Sequence, residues 1–85
     1  MGFDVDNVRS YSGFEDALVA AVLRHYDDIR RYMVFRAVLL PDTSSVSVRE
    51  EYIRGQLDEI SEYIGRLDEF DDIRREVEAA VGYQR

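Results

Sequence analysis

Apolar positions along this chain recur at helical spacing. Leu18, Val22, Ile29, Met33 and Leu40 fall on one stripe at about 100° per residue. Ile53, Leu57, Ile60, Ile64 and Leu67 follow in steps of four, three, four and three, the a/d spacing of a coiled-coil seam held for about two heptads. Two long helices are therefore predicted. The first runs from Gly13 to Leu40, with Ser12 and Glu15 as its capping box. Pro41 stops it, because the residue before a proline avoids helical angles. A competing reading makes 34–40 a strand that hairpins onto Val46, Ser47 and Val48. The second helix starts at a capping box of Ser47 and Glu50. Past Leu67 the apolar stripe moves about 120° round, to Phe70, Ile73, Val77 and Val81. That shift means either a stutter in one bent helix or a break between Gly65 and Asp68, with Asp68 capping a third, short helix; the single bent helix is preferred. Gly82 is a natural C-terminal cap.

A six-residue unit occurs twice within this pattern. Tyr26-Asp27-Asp28-Ile29-Arg30-Arg31 returns as Phe70-Asp71-Asp72-Ile73-Arg74-Arg75. Asp27 and Asp71 each have arginines three and four residues on, so each unit reads as an amphipathic turn with its ion pairs on the outer face.

These elements amount to an all-α fold, an antiparallel helical hairpin with the helical domain spanning 12–82, an N-terminal arm over 1–11 and a tail over 83–85. Composition changes that picture in one respect. Hydrophobic residues make up 46% of 85 positions, more apolar surface than a two-helix hairpin hides on its own. A homodimer forming a four-helix bundle is therefore expected, with Leu18, Val22, Ile29, Met33, Ile53, Leu57, Ile60, Ile64 and Leu67 at its interface. Ala17 to Leu23 is apolar nearly all round, which predicts contact with more than one neighbour.

Charge narrows the range of partners. All 11 basic residues are arginine, against 18 acidic ones, for a net charge of −7. Such a surface fits a cytoplasmic protein, including one from a high-salt cytoplasm, and argues against binding to bare phosphate backbone. Mimicry of DNA by the acidic surface is a minor alternative. No apolar run reaches membrane-spanning length, and Met1 to Ser10 lacks the apolar core of a signal peptide. Without cysteine there is no disulfide or thiolate metal site, and no cofactor is implied.

Candidate chemistry rests on one residue. His25 is the only histidine and lies near the middle of the first stripe, where a core or interface role is the plain reading. Asp28 is its one companion at helical spacing, too little for a metal. Serines are present, but none has a nucleophile-elbow context. The six tyrosines are not interleaved with basic residues as a stacking surface would need, and Tyr at helical spacing suits packing better than base stacking. Arg36 falls on the first apolar stripe, where it either pairs with an acid across the bundle or marks where the stripe opens to solvent.

Val22-Leu23-Arg24-His25, followed by a charged stretch and an acidic, arginine-rich second helix over Val48 to Glu78, resembles the dimerisation and phosphoacceptor hairpin of histidine kinases, especially the archaeal type. The resemblance implies a dimeric four-helix bundle, a phosphoryl group accepted by His25, and a receiver domain as partner. Tyr26 stands where that family carries an acid or amide, and Ile29 where it carries Thr or Asn. An ATP-binding domain does not fit in 85 residues, so kinase activity of the chain alone is not expected. The leading expectation is a non-enzymatic module for self-association or protein interaction. A stand-alone phosphotransfer or receiver-docking hairpin using His25 is the alternative, and a small viral or regulatory accessory protein is the third.

Overall fold

Both apolar stripes form helices, but each predicted helix is interrupted, and the interruptions turn the stripes on one another. The computed structural model describes residues 11–34 and 36–82. Five α-helices follow in order: α1 Phe14–Arg24, α2 Tyr26–Met33, α3 Val46–Gly55, α4 Leu57–Arg66 and α5 Asp71–Val81, with a 3₁₀ turn at Asp68–Phe70 ahead of α5. No strand occurs among the described residues. The arm expected at 1–11 lies outside the described residues apart from Tyr11, and the tail at 83–85 lies outside them entirely.

The two-helix hairpin is not the fold. The first long helix bends at His25 (φ −110°, ψ 26°) and the second at Gln56 (φ −125°, ψ 27°). Each is a single residue in the sparsely populated bridge region, and neither is glycine or proline. Hydrogen bonding continues across each bend: Ile29 N–H donates to the His25 carbonyl, and Ile60 N–H to that of Gln56, both at 3.0 Å. A full break follows at Leu67, which is extended (φ −97°, ψ 132°), so the preferred single helix past 67 is two helices. Asp68 opens the 3₁₀ turn after that break, and its side chain makes no cap bond.

The helix ends differ from the expected caps in instructive ways. Gly13, at φ 84°, precedes α1 without any side-chain cap bond, so Ser12 and Glu15 do not form a capping box. The cap of α3 is Ser45 rather than Ser47, its hydroxyl accepting from Val48 N–H at 3.4 Å. Gly82 ends α5 in the left-handed region at φ 73°, as its residue type predicts. The first helix stops at Met33, before Pro41. From Val38 to Pro41 the chain is neither helix nor strand, and Val38 and Leu40 are buried while Leu39 is exposed.

These bends let a single chain close its own core. α1 packs against both α3 and α5, so its all-round apolar character is used, and α4 packs against α5. Leu18, Val22, Ile29, Met33, Ile53, Ile60 and Ile64 have no exposed surface, and Leu57 and Leu67 pack partly buried against them. Seven of the nine residues expected at a dimer interface are therefore buried within one chain, and Leu57 and Leu67 are partly so. The physical reason is the bends: two straight helices leave a broad face uncovered, whereas five short ones fold over it. A radius of gyration of 12.0 Å matches the roughly 12 Å of a compact domain of this length.

The repeated unit opens a helix each time, directly after a bend or a break. Its aromatic and isoleucine positions, Tyr26 with Ile29 and Phe70 with Ile73, are buried in both copies. Its first arginine is turned to backbone rather than to the outer face. Arg30 Nε donates to the Leu40 carbonyl at 3.1 Å. Arg74 donates to the carbonyls of Ile64 (2.8 Å) and Leu67 (2.6 Å) and to Asp71 Oδ1. Arg74 is only 8% exposed, so the outer-face reading fails for it. Asp71 keeps the predicted pairs with Arg74 and Arg75, whereas Asp27 pairs across to Arg49 of α3 at 3.3 Å.

Tyr26 anchors the 38–41 segment. Its hydroxyl donates to the Pro41 carbonyl at 2.7 Å, and the Arg49 guanidinium lies over its ring, 4.2 Å from the centroid. Burial raises the phenol above its ordinary value, although Arg49 and Arg30 pull it down. Because the folded state holds this proton more tightly than the unfolded chain, the contribution to stability is complete below about pH 10. It is lost as pH climbs toward the folded-state value. Thermal melts from pH 9 to 11.5 should show a falling midpoint, with a slope of at most about 1.4 kcal/mol per pH unit from this group. Tyr26→Phe should flatten that slope, and an unchanged slope would assign it to another tyrosine.

Candidate functional site

Two places combine exposure with organised chemistry. The first surrounds His25 at the α1–α2 bend. Its ring Nε2 lies 3.3 Å from Glu76 Oε1 of α5, and Arg24 holds the other carboxylate oxygen at 2.9 Å. The imidazole is partly open to solvent, its side chain 35% exposed. His25 is thus neither a sealed core residue nor freely exposed. It is an oriented imidazole tied to a carboxylate, and the bend that turns α2 away from α1 places it there. Asp28, three residues on, pairs with Arg31 at 3.9 Å rather than with His25. Among the described residues no group of three His, Cys, Asp or Glu side chains is placed to hold a metal ion.

The second place is apolar. α3 presents Val48, Tyr52 and Gly55 on one face, with successive separations of four and three residues. Across from them lies Leu39, 67% exposed, with Tyr52 at 37%. A groove of about 270 Å³ runs between Leu39 and α3, lined also by Glu51, Gly55 and Gln56. Gln56 builds its wall. Its carboxamide oxygen accepts from the Leu39 N–H at 2.6 Å, while its Nε2 donates to the Leu39 carbonyl and to the Tyr52 carbonyl. One side-chain amide therefore satisfies both main-chain groups of Leu39, as a neighbouring strand would. The strand considered over 34–40 does not form among the described residues: Leu39 bonds this side chain, and Val46 to Val48 are helical.

Gly55 lies on the same groove. A Cβ there would meet no atom within 4 Å, and its φ is not positive. Neither packing nor backbone conformation within the chain calls for glycine, which costs about 1 kcal/mol relative to alanine inside a helix.

Around both places the charges divide unevenly. Each arginine among the described residues is engaged within the chain. Arg24, Arg31, Arg49, Arg54, Arg66, Arg74 and Arg75 bind carboxylates, Arg30 a carbonyl, and Arg36 the ring and hydroxyl of Tyr32. Arg36 thus marks the opening of the stripe to solvent, just past the end of α2. Arg54 gathers Glu50, Asp16 and Glu15, the first two holding its guanidinium still more firmly protonated. Glu51, on the groove, is in no ion pair among the described residues, and neither are Glu59, Asp68 and Glu69. No described helix is long and apolar enough to cross a membrane.

The sequence reading singled out His25 and the apolar stripes, and missed the groove. Leu39 was placed inside a helix that stops at Met33, and Gln56 has no signature as a bend. The available signal was Gly55, an isolated glycine in an otherwise helical run. Comparison with family models, curated proteins and solved structures finds no match to this chain.

Proposed function

We propose that this chain is a non-enzymatic protein-interaction module that docks a partner protein through the face formed by Leu39, Val48 and Tyr52. One observation carries the reading: the apolar stripes are consumed by the core, yet these three apolar residues stand exposed beside a groove. Contiguous exposed apolar surface on a small domain marks an interaction site. A groove of about 270 Å³ falls below the ~300–1,000 Å³ of small-molecule sites, which speaks against a substrate pocket. Full engagement of the described arginines leaves little for nucleic-acid phosphates. A partner protein is favoured over a second copy, since two chains of net charge −7 repel.

The test uses an apolar fluorescent probe such as bis-ANS. The native protein should enhance its emission at temperatures where circular dichroism reports full helicity. Leu39→Ser with Tyr52→Ser should keep the helicity and lose most of the enhancement. Full enhancement in the double variant would place the docking surface elsewhere.

The phosphotransfer reading is retained as second, because the His25 imidazole is partly exposed and oriented by Glu76. With Nε2–H donating its hydrogen bond to Glu76, Nδ1 of the neutral ring is the bare, nucleophilic nitrogen. Incubation with acetyl phosphate, or with a phosphorylated receiver domain, should then give an acid-labile label that His25→Gln abolishes. No label on His25 removes this reading.

A further inference from the structure

We propose that the groove between α3 and the 38–40 segment receives one large apolar side chain of a partner protein, whose neighbouring arginine or lysine pairs with Glu51. The inference rests on the reading of this face as a docking surface, and adds the chemistry of what docks.

Three observations converge on that occupant. The size of the groove suits a single side chain, and the floor between Leu39 and Tyr52 is apolar. Gly55 leaves open space where any other residue would place a Cβ, so a partner backbone can approach the last turn of α3 closely. Among the described residues Glu51 is the one charged residue lining the groove, and no arginine among them neutralises it. An apolar anchor flanked by a cation matches both features, whereas an acidic segment meets Glu51 and the overall negative field.

Recognition here runs through side chains rather than strand addition. Gln56 already supplies both hydrogen bonds that Leu39 offers. An added strand would have to displace that amide and would exchange like for like, with no net gain in hydrogen bonds. Apolar burial in the groove, and the charge on its rim, therefore set affinity and specificity.

Amide-resolved NMR titration of the full chain tests this with three capped peptides: Gly-Ser-Phe-Arg-Gly, the same with Glu for Arg, and the same with Gly for Phe. The Phe-Arg peptide should shift the amides of Leu39, Tyr52, Gly55 and Gln56. Its affinity should fall by up to about fivefold in Glu51→Gln, as for a rim charge pair of at most about 1 kcal/mol, and further on Arg-to-Glu exchange. Binding should be lost with the Gly-for-Phe peptide and in Gly55→Leu, whose Cβ meets no atom within 4 Å and whose added bulk competes for the groove. Equal binding of the Arg and Glu peptides at this face overturns the cationic partner but leaves the docking surface standing. Unchanged amides with every peptide, or the same shifts in the Leu39→Ser, Tyr52→Ser variant, overturn the proposal and the docking surface together. Concentration-dependent shifts of these amides without peptide overturn the partner protein in favour of a second copy.

Discussion

Ile60→Ala should lower the melting midpoint, and neither its midpoint nor that of the wild type should move between 5 µM and 500 µM protein. Ile60 has no exposed surface and lies where α4 faces the rest of the core. Truncating a buried isoleucine to alanine costs about 2–5 kcal/mol, the lost transfer energy plus the cavity left behind. For a domain of this size each kcal/mol moves the midpoint by roughly 4–8 °C. The expected drop is therefore of order 10–30 °C, enough that the variant is partly unfolded at room temperature if the wild type is only marginally stable. Ile60→Asp, which buries a charge without a partner, should not fold at all. The concentration comparison gives the experiment its force. A seam residue belongs to a fold coupled to dimerisation, whose melting midpoint rises with protein concentration by mass action in wild type and variant alike. A residue in the core of one chain shows no such dependence. A midpoint that rises at 500 µM would return Ile53, Ile60 and Ile64 to an interface between copies and reopen the four-helix bundle.

How much of this was legible in the sequence divides along a physical line. Burial was legible residue by residue, because period-3.6 patterning reports which face a helix hides and does not depend on what hides it. Leu18, Val22, Ile29, Ile53, Ile60 and Ile64 are all inside. What covers them was not legible, because bends at His25 and Gln56 decide it. Neither bend residue is itself a helix breaker, although Gly55 stands directly before Gln56. Each has its side chain committed at long range, His25 to Glu76 and Gln56 to Leu39. Such bends are tertiary in origin, and a single sequence does not announce them. The groove follows from the same cause. Its wall is Gln56, and its far side is a segment that the sequence reading assigned to a helix. The break at Leu67 was half visible: the jump in the stripe announced it, but not the contacts of Arg74 with the carbonyls of Ile64 and Leu67.

Arg74 is the residue whose loss should damage the fold most among the polar ones. The break at Leu67 leaves the last carbonyls of α4 without intrahelical partners. Arg74 reaches back from α5 to the Ile64 and Leu67 oxygens and is itself held by Asp71. One guanidinium thus acts as the C-cap of the preceding helix. Its planar fork donates to two carbonyls and a carboxylate at once, which an ammonium does less well. Hydrogen bonds to charged groups are worth about 1.5–3 kcal/mol each, and a buried carbonyl left without one costs about 1–3 kcal/mol. Arg74→Met keeps much of the apolar stem and removes every donor. It should cost about 3 kcal/mol, with Arg74→Lys in between, and should speed amide exchange at Phe70, whose N–H bonds the Leu67 carbonyl at 3.1 Å. Arg30→Met is the internal control. It occupies the same place in the first copy of the repeat and touches one carbonyl, at Leu40, so its penalty should be no more than about half as large. Equal stability of Arg74→Met and wild type would show that the break is fixed by packing of Phe70 and Ile73 alone. Equal penalties at Arg30 and Arg74 would show that the two copies hold the backbone alike, and that the number of carbonyls bound does not set the cost.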